Sequence, residues 1–177
     1  MKRNMALGAV LVAALAGSLL MGCSSDSATT TTSPSAVVTG HPFSATAAGE
    51  ATDTTDTNKI CPSAAAFTVI TLTGQTADGE KITMTTQHCR VPGTGKATNG
   101  SGTITMANGD QILVTYETDW VLDSATSKVN GTGPFKVVGG TGEFENATGT
   151  LAHTCVTSIS GAQPWPVEFA IDGTLTY

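Results

Sequence analysis

After Pro42, hydrophobic and polar residues alternate with a period of two along most of the chain, and no stretch of useful length carries a helical period. The clearest case is residues 111–120. Ile112, Val114, Tyr116, Thr118 and Trp120 share one face there, and Leu113, Thr115, Glu117 and Asp119 share the other. A half-buried antiparallel strand requires this, with one face to the core and one to solvent. Residues 167–177 repeat the pattern, setting Val167, Phe169, Ile171, Leu175 and Tyr177 against Glu168, Ala170, Asp172, Thr174 and Thr176. Further strands are predicted at residues 65–74, 80–89, 102–107, 135–138 and 150–159, with a weaker first strand at 43–51.

The punctuation between these segments is made of turn residues. Asn108-Gly109 is the strongest hairpin signal, and residues 75–79 form a short loop if Ile70 and Leu72 face Ile82 and Met84. Pro92 has no N–H for a ladder, so the third strand stops near Val91 and a loose run extends to residue 101. A second loop is expected over residues 124–133. The most distinctive punctuation is GGTGEFENATG at residues 139–149. Gly139, Gly140, Gly142 and Gly149 give backbone shapes that strand and helix interiors penalise, while Phe144 and Ala147 are read as pointing back to plug one end of the β-structure. The loop is not a phosphate cradle: no GK[ST] follows it, no helix starts there, and Glu143 and Glu145 would repel an anion.

Eight consecutive strands ending on one with an apolar face invite closure, because pairing the last with the first removes both edges. The predicted fold is all-β, a single eight-stranded antiparallel barrel over residues 44–177, with a β-sandwich as the alternative.

The first 43 residues follow a different pattern. Lys2 and Arg3 precede an apolar run from Met5 to Leu20, and Leu20, Met21, Gly22, Cys23 end it on small residues and a cysteine. This resembles a bacterial lipobox, which implies a signal peptide over residues 1–22, lipidation of Cys23 and attachment to the outer side of a membrane. The apolar run is short for a spanning helix, which takes about 20 residues. Residues 23–43 are rich in Ser and Thr and read as a disordered tether.

Charge and cysteine usage narrow the class. Without Lys2 and Arg3, six basic residues face 14 acidic ones, formally −8, which argues against nucleic acid as a partner. Beyond Cys23, the cysteines Cys61, Cys89 and Cys155 allow at most one internal bridge. In an alternating meander Cys61 and Cys89 flank neighbouring strands, so this pair is favoured and Cys155 is left as a thiol.

Candidate chemistry is sparse. Glu117 and Asp119 share a strand face, about 6–7 Å apart, but on the side opposite Tyr116 and Trp120, so solvent exposure is expected over acid–base work. His88, His153 and Cys155 lack a fourth ligand at a recognisable spacing, and no metal or cofactor is expected. Cys155 has no assignable base. Asn99, Asn130 and Asn146 begin N-x-Ser/Thr triplets and are read as turn residues. Tyr116, Trp120 and Trp165 are expected in the core rather than lining a pocket.

The segment FKVVGGTGEFENATG, residues 135–149, resembles the GGTGxFxxAxG signature of the dirigent and allene-oxide-cyclase-like barrels, and ANGD at residues 107–110 is similar to a segment of bacterial members. The resemblance implies an eight-stranded antiparallel barrel and, from plant relatives, binding of hydrophobic small molecules with cofactor-free cyclisation or coupling. It carries over no functional residue. Three readings follow: an envelope protein binding a small hydrophobic ligand or envelope component, a cofactor-free isomerase or cyclase working in the barrel mouth, or a structural surface module. An open interior favours the first two, and a filled one the third.

Overall fold

The computed structural model describes residues 40–91 and 93–177, in which the alternation is realised as eight strands. They are β1 (His41–Thr54), β2 (Ala66–Thr76), β3 (Lys81–Val91), β4 (Lys96–Met106), β5 (Gln111–Asp123), β6 (Lys128–Gly140), β7 (Thr148–Ser158) and β8 (Trp165–Thr176). Each pairs antiparallel with its chain neighbours, and β8 returns to pair with β1, Ala47 opposite Phe169, closing the barrel. The closed barrel, not the sandwich, is therefore the fold. Closure leaves no unpaired edge, which is how an up-and-down sheet of this size escapes edge-to-edge association.

The alternation sets the inside from the outside. Leu72 stands opposite Met84, and Met84 opposite Ile104, and all three are buried inside the barrel. The same strands carry Thr71, Thr73, Thr83, Thr85, Thr103 and Thr105 outward, with Thr71 opposite Thr85 and Thr83 opposite Thr105. Such β-branched cross-strand pairs suit a pleated, solvated face.

The expected signal peptide at residues 1–22, Cys23 and the expected tether up to residue 39 lie outside the described residues. The proposed tether boundary at residue 43 is too late, since β1 opens at His41, where Pro42 and Phe43 already face Thr174 and Gly173 of β8. The connection between β2 and β3 is residues 77–80, one shorter than the loop expected, with Gln75 paired to Lys81.

Two further boundaries differ, both because of glycine. Residues 96–101 form the first half of β4, bent by a bulge at which Asn99 adopts φ 53°. Residues 128–133, expected as loop, form the first half of β6. The inward set of β6 is Val129, Gly131, Gly133, Phe135 and Val137, which alternates once glycine counts as a small interior residue. A bulge between Val137 and Gly139 then throws Val138 outward, where it is exposed.

The Cys61–Cys89 disulfide is present, and it pins residues 55–65 to the outer wall over β2 and β3. Cys89 is fully buried beneath that loop although it faces outward from the barrel. Asn99 donates to the Ile60 carbonyl at 3.1 Å, and the Cys61 N–H donates to Asp56 Oδ2 at 2.7 Å, so the loop is held at several points. The backbone donors around Asp56, Cys61 first, hold its carboxyl below the usual range.

Candidate functional site

The connections 77–80, 107–110 and 141–147 lie at one end of the barrel, and 55–65, 93–95, 124–127 and 159–164 at the other. The first end is sealed. Phe43, Ile82, Met106, Ile112 and Leu175 fill it, and the 3₁₀ turn Gly142–Phe144 closes it with Phe144, backed by Ala147. Phe144 is 3 % exposed and packs edge-on against Tyr177 at 4.9 Å.

The turn is held by the neighbouring hairpin. Asp110 accepts from the Glu143 N–H at 3.3 Å and from Asn108 Nδ2 at 3.0 Å. Gly142 has φ 58°, and a Cβ there would stand 1.8 Å from Asp110 Oδ1, so only glycine allows this approach. Gly139 and Gly149 also take positive φ, while Gly140 passes so close to the Gln111 carbonyl that a Cβ would meet it at 1.9 Å.

The second end is open. A cavity of about 360 Å³ enters the barrel there, walled by Ile70, Trp120, Cys155, Trp165 and Phe169 with His88, Tyr116 and Thr118 deeper in. Its rim carries the exposed apolar side chains Leu122 and Ile159. Arg90 guards the entrance, paired with Asp53 and lying 5.5 Å over the Trp165 ring. Asp53 also accepts from Thr68 Oγ1 at 2.7 Å.

The glycines of β6 create the interior polar layer. Gly131 faces Cys155 and Gly133 faces His153 across the β6–β7 ladder. A Cβ on Gly131 would stand 2.5 Å from Cys155 Sγ and 2.8 Å from Thr118, and one on Gly133 would stand 3.1 Å from His153 Cε1. With neither present, His153 reaches past β6 to Thr118 of β5, Nε2 to Oγ1 at 3.0 Å. Its ring stacks on Phe135 at 4.2 Å and on Phe169 at 5.8 Å. His88 lies beside it, with Nδ1 2.9 Å from the Tyr116 hydroxyl, which in turn donates to the Gln87 carbonyl at 3.3 Å.

Burial sets the charge state of this layer. Removal from water pushes His88 down to about 4, the Arg90 charge adding to the effect and Asp53 opposing it. His153 is likewise pushed down to about 4 by burial, and the Cys155 thiol is pushed up to about 11. Tyr116 is raised above its ordinary value for the same reason. At neutral pH the cavity is therefore lined by the neutral His88 imidazole, a phenol and a thiol, with the neutral His153 ring packed against Tyr116 and an ion pair at the entrance. No protein-family model matches the chain, and no curated protein or solved structure resembles it at a significant level.

Several of the residues singled out from sequence fall elsewhere. Glu117 and Asp119 are exposed on the outer wall, where Asp119 pairs with Lys96, and neither reaches the cavity. Among the described residues, no group of three or more His, Cys, Asp or Glu side chains is placed to hold a metal ion. His88 and His153 instead engage Tyr116 and Thr118. Asn99 bonds the Ile60 carbonyl at the β4 bulge, Asn130 sits within β6 and Asn146 in the turn after Phe144. Tyr116 is buried in the core as expected, its ring also bordering the cavity, whereas Trp120 and Trp165, expected as core, are half-buried on the cavity wall, because Gly93 and Gly95 at the mouth and Ala51 on β1 are too small to fill the space beside them.

Proposed function

We propose that the chain is a lipid-anchored extracytoplasmic protein that carries a small, mostly apolar molecule in the mouth of its barrel. The observation behind this reading is the cavity of about 360 Å³, within the ~300–1,000 Å³ typical of small-molecule sites and lined mainly by aromatic and aliphatic side chains. A barrel serving only as a structural module has no need of such an opening. Native mass spectrometry of the protein from its own host tests the reading, with a co-purified small molecule as the expected result. A clean apo mass, together with no binding of apolar probes, removes it.

The anchor is supported by the lipobox-like Leu20-Met21-Gly22-Cys23. Cys23→Ala is expected to release the protein from the membrane fraction. A cleaved form that stays with the membrane refutes lipidation as the sole attachment.

A second reading, a cofactor-free isomerase or cyclase acting in the same mouth, is favoured by the polar groups that converge there. In their neutral states Tyr116 and the Cys155 thiol are donors rather than bases, and only an imidazole has a lone pair suited to taking a proton. Turnover lost in His88→Phe, with ligand retained, would support this reading over simple carriage.

A further inference from the structure

His88 is 5 % exposed, and its Nε2 has no hydrogen-bond partner among the described residues. A buried polar atom left in this state is costly, and a ligand that answers it gains accordingly. The ring's other nitrogen fixes what kind of answer is needed. Nδ1 lies 2.9 Å from the Tyr116 hydroxyl, and that hydroxyl can donate its one proton to the Gln87 carbonyl 3.3 Å away. Both bonds form together only if Nδ1 carries the imidazole proton and donates it to Tyr116 Oη. Nε2, at the far end of the ring, then carries the free lone pair, buried at the edge of the cavity that His88 lines.

A second unanswered atom lies on the same strand face two residues away. The Arg90 guanidinium is committed to Asp53 through its terminal nitrogen, but its Nε is buried without a partner, and Arg90 lines the same cavity. This atom is an N–H donor. Of the five buried side-chain atoms without a partner among the described residues, only these two belong to side chains that line the cavity, an acceptor and a donor in a wall that is mostly apolar.

We infer that the cavity recognises a neutral, apolar molecule bearing a hydroxyl group, which donates to His88 Nε2 and accepts from Arg90 Nε. A hydroxyl is the smallest group able to do both. A carboxylate brings no proton for Nε2 and meets an arginine already neutralised by Asp53. An ammonium ligand would be an unpaired charge among Trp120, Ile70 and Phe169, which is strongly unfavourable. The inference rests on the ligand-binding reading above and adds the class of ligand.

The test uses the full chain and three probes of one shape: 4-butylphenol, its methyl ether and butylbenzene, titrated by ligand-observed NMR at pH 7. The phenol is expected to bind about 3- to 10-fold tighter than the ether, the range of one neutral buried hydrogen bond. The ether keeps an acceptor oxygen for Arg90 but has no proton for His88. In His88→Phe, phenol and ether should bind alike. Tyr116→Phe, which frees Nδ1 and so releases the tautomer, should also reduce the preference and serves if His88→Phe does not fold. Equal binding of phenol and ether to the wild-type chain overturns the inference while leaving apolar binding intact, and so does a preference that survives in His88→Phe. If none of the three binds, the ligand-binding reading falls with it.

Discussion

At one end of the barrel Phe43, Phe144 and Leu175 pack in an interior that buries no ionisable group among the described residues. At the other, His88, Tyr116 and Cys155 border an open space, with His153 packed against Tyr116. The same alternating strands build both ends, so the difference lies in which small residues each strand places inward. At the sealed end glycines sit in the turn, where they let the chain fold back and drive Phe144 inward. At the open end Gly131 and Gly133 sit inside β6, where the missing Cβ atoms let polar side chains from β5 and β7 meet. Glycine thus closes one end by bending the backbone and furnishes the other by vacating volume. Stability and binding are on this account assigned to opposite ends, and the two should be separable by mutation.

The largest effect is expected from Phe144→Ala. Removing a ring that is 3 % exposed should cost about 3–5 kcal/mol in chemical denaturation while leaving the open cavity's binding properties intact in the folded fraction. An unchanged midpoint would mean that the sealed end does not depend on its plug. Breaking the Cys61–Cys89 bridge comes next. For a sequence separation of 28, chain entropy gives a loss of about 3–4 kcal/mol, read as a lower unfolding midpoint under reducing conditions. Because this bridge pins a mouth loop, its loss should also loosen hydrogen-exchange protection over residues 55–65 and leave the 141–147 turn protected.

Acid should act chiefly through the two buried histidines. His88 and His153 are held down to about 4 in the folded chain, against about 6.5 when unfolded. Between those values the unfolded chain binds more protons, so stability present above pH 6.5 is lost as pH falls toward 4, by about 3 kcal/mol for each histidine. His153→Phe, which keeps the stack on Phe135, should remove about half of that slope. A slope unaltered by the substitution would place the acid sensitivity away from His153. The smallest effect belongs to the outer wall, where Glu117→Gln and Asp119→Asn should each change stability by less than about 0.5 kcal/mol, since Glu117 is exposed and the Asp119–Lys96 pair is solvated. A larger change in thermal unfolding would show that the wall carries more than solvent contacts.

The sealed end was more legible in the sequence than the open one. Asn108-Gly109, the apolar faces of β5 and β8, and Phe144 within a glycine-rich turn are local signals, each read within about ten residues. The open end depends on register, which no single segment encodes. Val129, Gly131 and Gly133 belong to the same alternation as Phe135 and Val137, yet glycine in a polar run reads as loop until the strand beside it is known. His88 and His153 are recognisable as unusual but not as partners of Tyr116 and Thr118, because those pairings span 28 and 35 residues and cross the barrel. Trp120 and Trp165 look like core for a related reason: whether an inward aromatic is packed or faces a void is decided by the small residues opposite it.

The rings of His41 and Tyr177 stack at 4.6 Å, so the first and last residues of the barrel lie side by side at its sealed base. The mouth connections 55–65, 93–95, 124–127 and 159–164 are thus all internal links between consecutive strands. Each can lengthen, shorten or change composition without disturbing the plug, the termini or the closing β1–β8 seam. On the proposed reading the molecule is a vessel gripped at its foot, with an interchangeable lip on which exchanging loops would change specificity while the foot stays the same. Joining residue 177 to residue 41 by a short linker, and reopening the chain at the 124–127 turn, should therefore give a barrel that still folds.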